Sequence, residues 1–399
     1  VAGQGDRELT GDGAGPVFTL ATGPSGTTTP ATLAALAQPV LHHTDPAFRA
    51  LYARTVELLR AAFGTGQDPV ILQGEAVLGL EAAAASAIAP GEVVLNLVSG
   101  VFGRAFGRLA RRYAGEVIEI EAGYDSAVPA AAVRDALAAR PDIGIVSVVH
   151  CETPSGTMND LDAIAAELAG YDALLLVDAV SSFGGARCDF DGWPADVAVV
   201  APQKCLGGPP GLSLLHVSDD AWRHIEANPH APRGSVLSVL EWRDAHLPGR
   251  SFPFTPSVSE VYALHSCLEQ YLAEGPDTVR ARHRAAARAA RAGAVALGLK
   301  LWAADESICS DTVTALAMPD GVDEAKVRAV ARAESRVMLA GGQGELAGRV
   351  LQIGHMGPAA YPLSPVIALV ALGSALRKVG AAADIGGAVE AALAAGSAE

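Results

Sequence analysis

At 399 residues, half of them apolar and 18% charged, the chain is long enough for two domains with a large buried core. Its formal charge of −15 excludes nucleic acid and anionic membranes as partners, because both are held through basic patches. No apolar run reaches membrane-spanning length, and the five scattered cysteines (Cys151, Cys188, Cys205, Cys267, Cys309) have no metal-ligand spacing, so the expectation is a cytoplasmic protein with small-molecule substrates and no metal.

Residues 1–16 have no signal-peptide core and read as a flexible tail. "GPSGTTTPATLAAL" is a loop entering a short helix, and 45–64 has helical apolar spacing ending at Gly64. An alternation follows. Strands are expected at 69–73, 92–98, 116–121, 143–150, 173–178, 196–201 and 212–217. Helices are expected between them at 76–88, 102–113, 129–140 and 160–171, the last capped by Asn159 or Asp160. Strands that are unbroken apolar runs between helices point to a mostly parallel sheet covered on both faces, with ligands at the carboxyl ends of its strands. From residue 258 the pattern turns helical, and a smaller α+β unit follows, with strands near 312–318, 336–341 and 349–354 and helices near 323–334, 363–379 and 384–395. The division expected is a tail (1–16), a large domain (17–285, N-terminal segment included) and a small C-terminal domain (286–399).

Lys204 stands alone between the apolar run "VAVVA" and the loop "LGGPPG". A lysine at the end of a buried strand is costly unless it is paired, neutralised or used covalently. Asp178 closes another strand 26 residues earlier. An acid and a lysine at neighbouring strand ends suit pyridoxal chemistry, in which the carboxylate keeps the pyridine nitrogen protonated and the lysine bonds the carbonyl carbon and then shuttles a proton. A structural ion pair fits the same spacing.

"HCETPSGT", "VDAVSSFGG" and "APQKCLGGPPG", in that order, resemble the class V aminotransferases of PLP fold type I, and "FTLATGPSGTTTPATL", "FTPSVSEVYAL" and "IGHMG" fit the same pattern over about residues 17–380. "LQGEAVLGLEAAAAS" is similar to the branch of that family that handles pyridoxamine and pyruvate. The resemblance implies an α/β fold with a mostly parallel large domain and a smaller α+β domain, assembled as a homodimer or homotetramer. It implies an imine on Lys204, Asp178 at the ring nitrogen, Phe102 and Val180 on the two ring faces, Thr153 near the phenolic oxygen and Thr255 reaching a neighbouring subunit's site. Gly23 is placed with the substrate.

Two departures carry the functional expectation. Glu75, Ala76 and Val77 stand where phosphate-binding relatives have small donors, and a carboxylate there repels a dianion but accepts a hydrogen bond from a neutral hydroxymethyl group. The plainer reading is an acid at a helix N-terminus. The expected ligand is therefore unphosphorylated pyridoxal or pyridoxamine, as substrate, with pyridoxal 5′-phosphate disfavoured. The family's carboxylate-gripping arginines appear as Gln352 and Gln343, and Arg349, three residues from Gln352, faces the other way along a strand. The function expected is amino transfer between pyridoxamine and a carbonyl acceptor, either pyruvate-like or a neutral analogue. The alternative is a lyase, decarboxylase or other pyridoxal-dependent enzyme on a non-carboxylate substrate.

Overall fold

The computed structural model describes residues 17–23 and 28–397, so the expected tail at 1–16 lies outside the described residues. Seven strands form the large sheet, in the order Val70–Gln73, Leu212–Val217, Val197–Val200, Leu174–Asp178, Ile143–Val149, Val93–Val98 and Glu116–Glu121. The last five run parallel, and Leu212–Val217 is antiparallel to both of its neighbours. Val93–Val98, wholly buried, is a run of apolar residues broken only by Asn96, whereas the edge strand Glu116–Glu121 alternates acids with half-buried aliphatics. This is the difference expected between an inner strand covered on two faces and an edge.

Local signals set the helix ends. Pro46–Phe63 starts at Asp45, whose carboxylate accepts from Ala47 N–H, and stops at Gly64 in the left-handed conformation. Leu161–Leu168 is capped by Asp160. Asn159 instead turns inward and bonds Val128 N–H, Ser99 Oγ and the Val149 carbonyl.

A second core packs the helices Pro276–Ala296, Leu363–Lys378 and Ile385–Ser397 against the antiparallel sheet Lys300–Leu301, Val313–Ala317, Val350–Gly354 and Ala340–Gly341. The single strand expected at 336–341 is split: Ala340–Gly341 joins this sheet, while Val337–Met338 pairs in parallel with Phe18–Thr19. Residues 18–20 therefore pack with the C-terminal unit, Leu20 inside its core. The long helix Pro276–Ala296 is shared, with Val279 in the large core and Ala289 and Ala294 in the small one. Among the described residues no helix is long and apolar enough to cross a membrane.

The helix Ala76–Ala87 lies against Leu212–Val217 so closely that a Cβ on Gly79 would sit 2.5 Å from Ser213 Cβ. Ser213 Oγ accepts from Gly79 N–H and reaches the Gly74 and Glu75 carbonyls, which locks the turn that opens the helix. Gly79→Ala is expected to lower the thermal midpoint through overpacking worth about 1–3 kcal/mol. An unchanged melt would mean that the helix can slide away from the strand.

Candidate active site

A cavity of about 230 Å³ opens at the carboxyl ends of the parallel strands. Its walls include Thr22, Gly23, Glu75, Ala76, Phe102, Asp178, Val180, Lys204 and Gln343, so the structure gathers eight of the expected site residues from six separate segments, with Thr22 as an addition. A larger hollow of about 520 Å³ lies at the opposite ends of the strands, around Leu174 and Asp196, away from this chemistry.

Lys204 follows the strand Val197–Val200 and its ammonium faces Gly23. A Cβ on Gly23 would fall 2.0 Å from Lys204 Nζ, and Gly23 has φ +48°, so both space and backbone demand glycine here. Burial lowers the Lys204 pKa, opposed by the nearby Cys205 and by the acids Asp178 and Glu75. Asp178 ends its strand, and its Oδ1 accepts from Val180 N–H at 2.9 Å. Burial pushes its carboxyl up to about 6; Val180 N–H and Lys204 pull it down, and Glu75 pushes it up. At neutral pH Asp178 is therefore mostly ionised and can hold a proton on a ring nitrogen.

Glu75 is the cap of its helix, and its Oε1 accepts from Val77 N–H at 3.2 Å. Leu78 N–H bonds the Glu75 carbonyl and Gly79 N–H bonds Ser213. The Val77, Leu78 and Gly79 donors of the first turn thus already have acceptors, and the macrodipole already faces a carboxylate.

Three expected residues lie elsewhere. Thr153 is buried behind the wall and donates to Ser181 Oγ at 2.5 Å, and Ser181 rather than Thr153 lines the cavity. Gln352 is 1% exposed, and its Oε1 accepts from Thr22 Oγ1. Thr255 lines a separate groove with Val40–His43 and Ser257–Glu260. Arg349 stacks over Trp302, 5.0 Å from the ring centre, so it faces away as the strand alternation expects. Among the described lining residues Lys204 is the only lysine or arginine.

Sequence reasoning missed Glu152. It sits in "HCETPSGT" as a fully buried acid whose Oε2 and Oε1 accept from Phe102 N–H (3.0 Å) and Gly103 N–H (2.6 Å), the first turn of the helix Val101–Ala110. A Cβ on Gly100 would fall 2.4 Å from Glu152 Cδ, and one on Gly103 would press on the Leu97 carbonyl oxygen at 2.9 Å and on Glu152 Oε1 at 3.1 Å, so these two glycines on either side of Phe102 are the signal that a group from elsewhere docks there. Burial raises the Glu152 carboxyl to about 7 against the pull of its two donors, and Asp178 adds to the rise. Glu152 thereby holds the backbone that presents the Phe102 ring.

The class V aminotransferase family matches residues 47–349. The chain is 50% identical over 381 residues to the pyridoxamine–pyruvate transaminase of Mesorhizobium japonicum, covering 96% of this chain and 97% of that protein. The crystal structure of pyridoxamine–pyruvate aminotransferase from Mesorhizobium loti superposes with a TM-score of 0.94 at 49% identity, covering 96% and 98% of the two chains. The ureidoglycine–glyoxylate aminotransferase of Bacillus subtilis gives 0.91 at 30% identity, again over 96% and 98%.

Glu152→Ala leaves two buried N–H groups without an acceptor, at about 1–3 kcal/mol each. The thermal midpoint is expected to fall clearly, with Glu152→Gln intermediate because one acceptor oxygen remains. A Glu152→Ala melt equal to that of the parent would refute the docking role.

Proposed function

The chain belongs to the class V aminotransferases, and on that premise we propose that it moves an amino group between unphosphorylated pyridoxamine and a carbonyl acceptor recognised without a carboxylate grip. The family's members work with pyridoxal phosphate, so the choice between vitamer and phosphate ester must come from this chain's own residues. The observation that carries the reading is Glu75: the helix N-terminus at the cavity is capped by its own carboxylate. A phosphate dianion there meets a like charge and a first turn whose Val77, Leu78 and Gly79 donors are spent, whereas a hydroxymethyl group finds an acceptor.

The remaining lining fits the vitamer. Glu75 and Asp178 make the cavity acidic, which suits a protonated pyridine ring and an incoming ammonium group. Phe102 and Val180 offer an aromatic and an aliphatic wall for the ring. The bound ring supplies an electron sink for the carbon that gains or loses the amino group. Asp178, ionised, keeps the ring nitrogen protonated. Lys204 in its neutral form would bond the vitamer's carbonyl carbon with loss of water; once an incoming amine displaced it, the freed lysine would carry a proton between the two carbons that exchange the amino group. Of the two neutral amides at the positions of the family's arginines, Gln343 lines the cavity and Gln352 does not, and Arg349 is committed to Trp302. An amide, alcohol or ketone function at the recognition end of the acceptor matches that inventory. Thr255 lies outside the cavity of its own chain.

Equilibrium binding followed by absorbance tests the vitamer. Pyridoxal is expected to attach to Lys204 and its 5′-phosphate to bind at least tenfold more weakly, about 1.4 kcal/mol. Lys204→Ala abolishes attachment, and Glu75→Ser shifts the preference toward the phosphate. Because the neutral amine attacks and burial lowers its pKa, the attachment rate should rise with pH through a value below the ~10.4 of an ordinary lysine. Tight binding of the phosphate by the parent chain would overturn the reading of Glu75.

A screen of acceptors against pyridoxamine tests the second half. Neutral carbonyl compounds are expected to give a kcat/KM above that of pyruvate, whose carboxylate has lost charged hydrogen bonds worth about 1.5–3 kcal/mol each. Pyruvate turning over faster than every neutral acceptor would return the assignment to the carboxylate class.

A further inference from the structure

The two glutamines stand in very different settings. Gln352 lies in the middle of the buried strand Val350–Gly354 and is 1% exposed. Its Oε1 accepts from Thr22 Oγ1 at 2.7 Å, and its Nε2 donates to the Gly341 carbonyl at 2.8 Å and the Pro154 carbonyl at 3.4 Å. An amide nitrogen has two protons, and both are spent on carbonyls of different segments. A substrate could recruit Gln352 only by stripping a buried carbonyl of its donor. Gln343 is exposed at the cavity rim, and no hydrogen bond ties its side chain among the described residues. It opens the turn Gly344–Leu346, where Gly344 approaches Val101 beside Phe102.

We propose that these residues divide what a pair of arginines would do together: Gln352 is a positioning residue that latches Gly23 against the Lys204 amine, and Gln343 alone reads the acceptor. The latch runs Gln352–Thr22–Gly23–Lys204. The strand also grips the same segment at a second point, since Gly354 N–H donates to the Leu20 carbonyl at 2.7 Å and a Cβ on Gly354 would meet the Ala21 carbonyl oxygen at 2.6 Å. Residues 20–22 are thereby held in a fixed path, and Gly23 leaves the slot that the Lys204 side chain fills. Through Pro154, which follows Thr153, the same amide ties in the loop whose hydroxyl bonds Ser181 on the cavity wall. Gln352 thus joins three walls of the site without lining it.

The role of Gln343 rests on the pyridoxamine reading above; the latch does not. The experiment separates attachment of pyridoxal to Lys204, measured by absorbance without acceptor, from the full reaction with pyridoxamine and a neutral ketone. Gln352→Ala and Thr22→Val are each expected to slow attachment at least tenfold and to shift its pH profile, because the lysine slot loosens. The double variant should be no slower than the slower single variant, since both remove one contact. Thr22→Ser, which keeps the hydroxyl, should recover most of the rate. Gln352→Ala should lower kcat while leaving the acceptor KM within twofold. Gln343→Ala should raise that KM far more than it slows attachment, and Gln343→Arg should turn the preference toward pyruvate.

A tenfold rise in acceptor KM for Gln352→Ala with normal attachment would make Gln352 a substrate ligand and overturn the latch, as would additive effects of the two latch variants. If Gln352→Ala does not fold, Thr22→Val against Thr22→Ser decides the same point. If the parent chain attaches only pyridoxal 5′-phosphate, the pyridoxamine reading fails, and the latch is then read from attachment of the phosphate ester and from non-additive melting of the Thr22 and Gln352 variants.

Discussion

A single ammonium group, Lys204, has to be kept in a half-buried slot at the carboxyl end of a parallel sheet, and most of the site follows from how that is done. Burial pushes the amine toward its neutral form; Asp178 and Glu75 pull it back. The slot exists because Gly23 has no side chain to fill it. A residue more than 180 positions earlier in the chain therefore sets the room available to the lysine. Gly23 is carried there by a segment that belongs to the small unit through its pairing with Val337–Met338 and the packing of Leu20. The two cores are thus tied together beside the Lys204 amine.

Carboxylates define the electrostatics around it. Glu75, Asp178 and Glu152 approach the cavity from a helix cap, a strand end and a buried loop, and burial raises the last two. Each satisfies backbone N–H groups at the start of a helix or turn: Val77 for Glu75, Val180 for Asp178, Phe102 and Gly103 for Glu152. The Val77, Val180, Phe102 and Gly103 N–H groups are consequently satisfied from within. On the proposed reading this arrangement favours cationic and neutral partners over anions. That reading also connects the two departures from the family pattern, the acid Glu75 at one end of the cavity and the neutral amide of Gln343 at its rim.

Much of this was legible in the primary structure. The unbroken apolar strands, the helix stop at Gly64 and the positions of Asp178 and Lys204 at strand ends are local or periodic signals, and they specified a mostly parallel sheet with those two residues at its carboxyl ends. Glu75 was visible for the same reason, because an acid one residue before a helix has a local consequence. Glu152 was not read, since its partners lie about fifty residues away and its own neighbourhood looks like a turn. The choice between Asn159 and Asp160 as cap was likewise open until Asn159 was seen to serve three distant groups.

The chain by itself determined most element types, the strand ends that carry Asp178 and Lys204, and eight of the residues that line the cavity. Only the tertiary structure decided which side chains remain available to that ligand. Thr153 and Gln352 are the right residue types in the right motifs, yet their hydrogen-bonding capacity is taken up by Ser181 and by Thr22, Gly341 and Pro154. A sequence states what donors and acceptors a residue possesses. Which of them are already spent depends on contacts between segments that are distant in the chain, and only the folded arrangement fixes those.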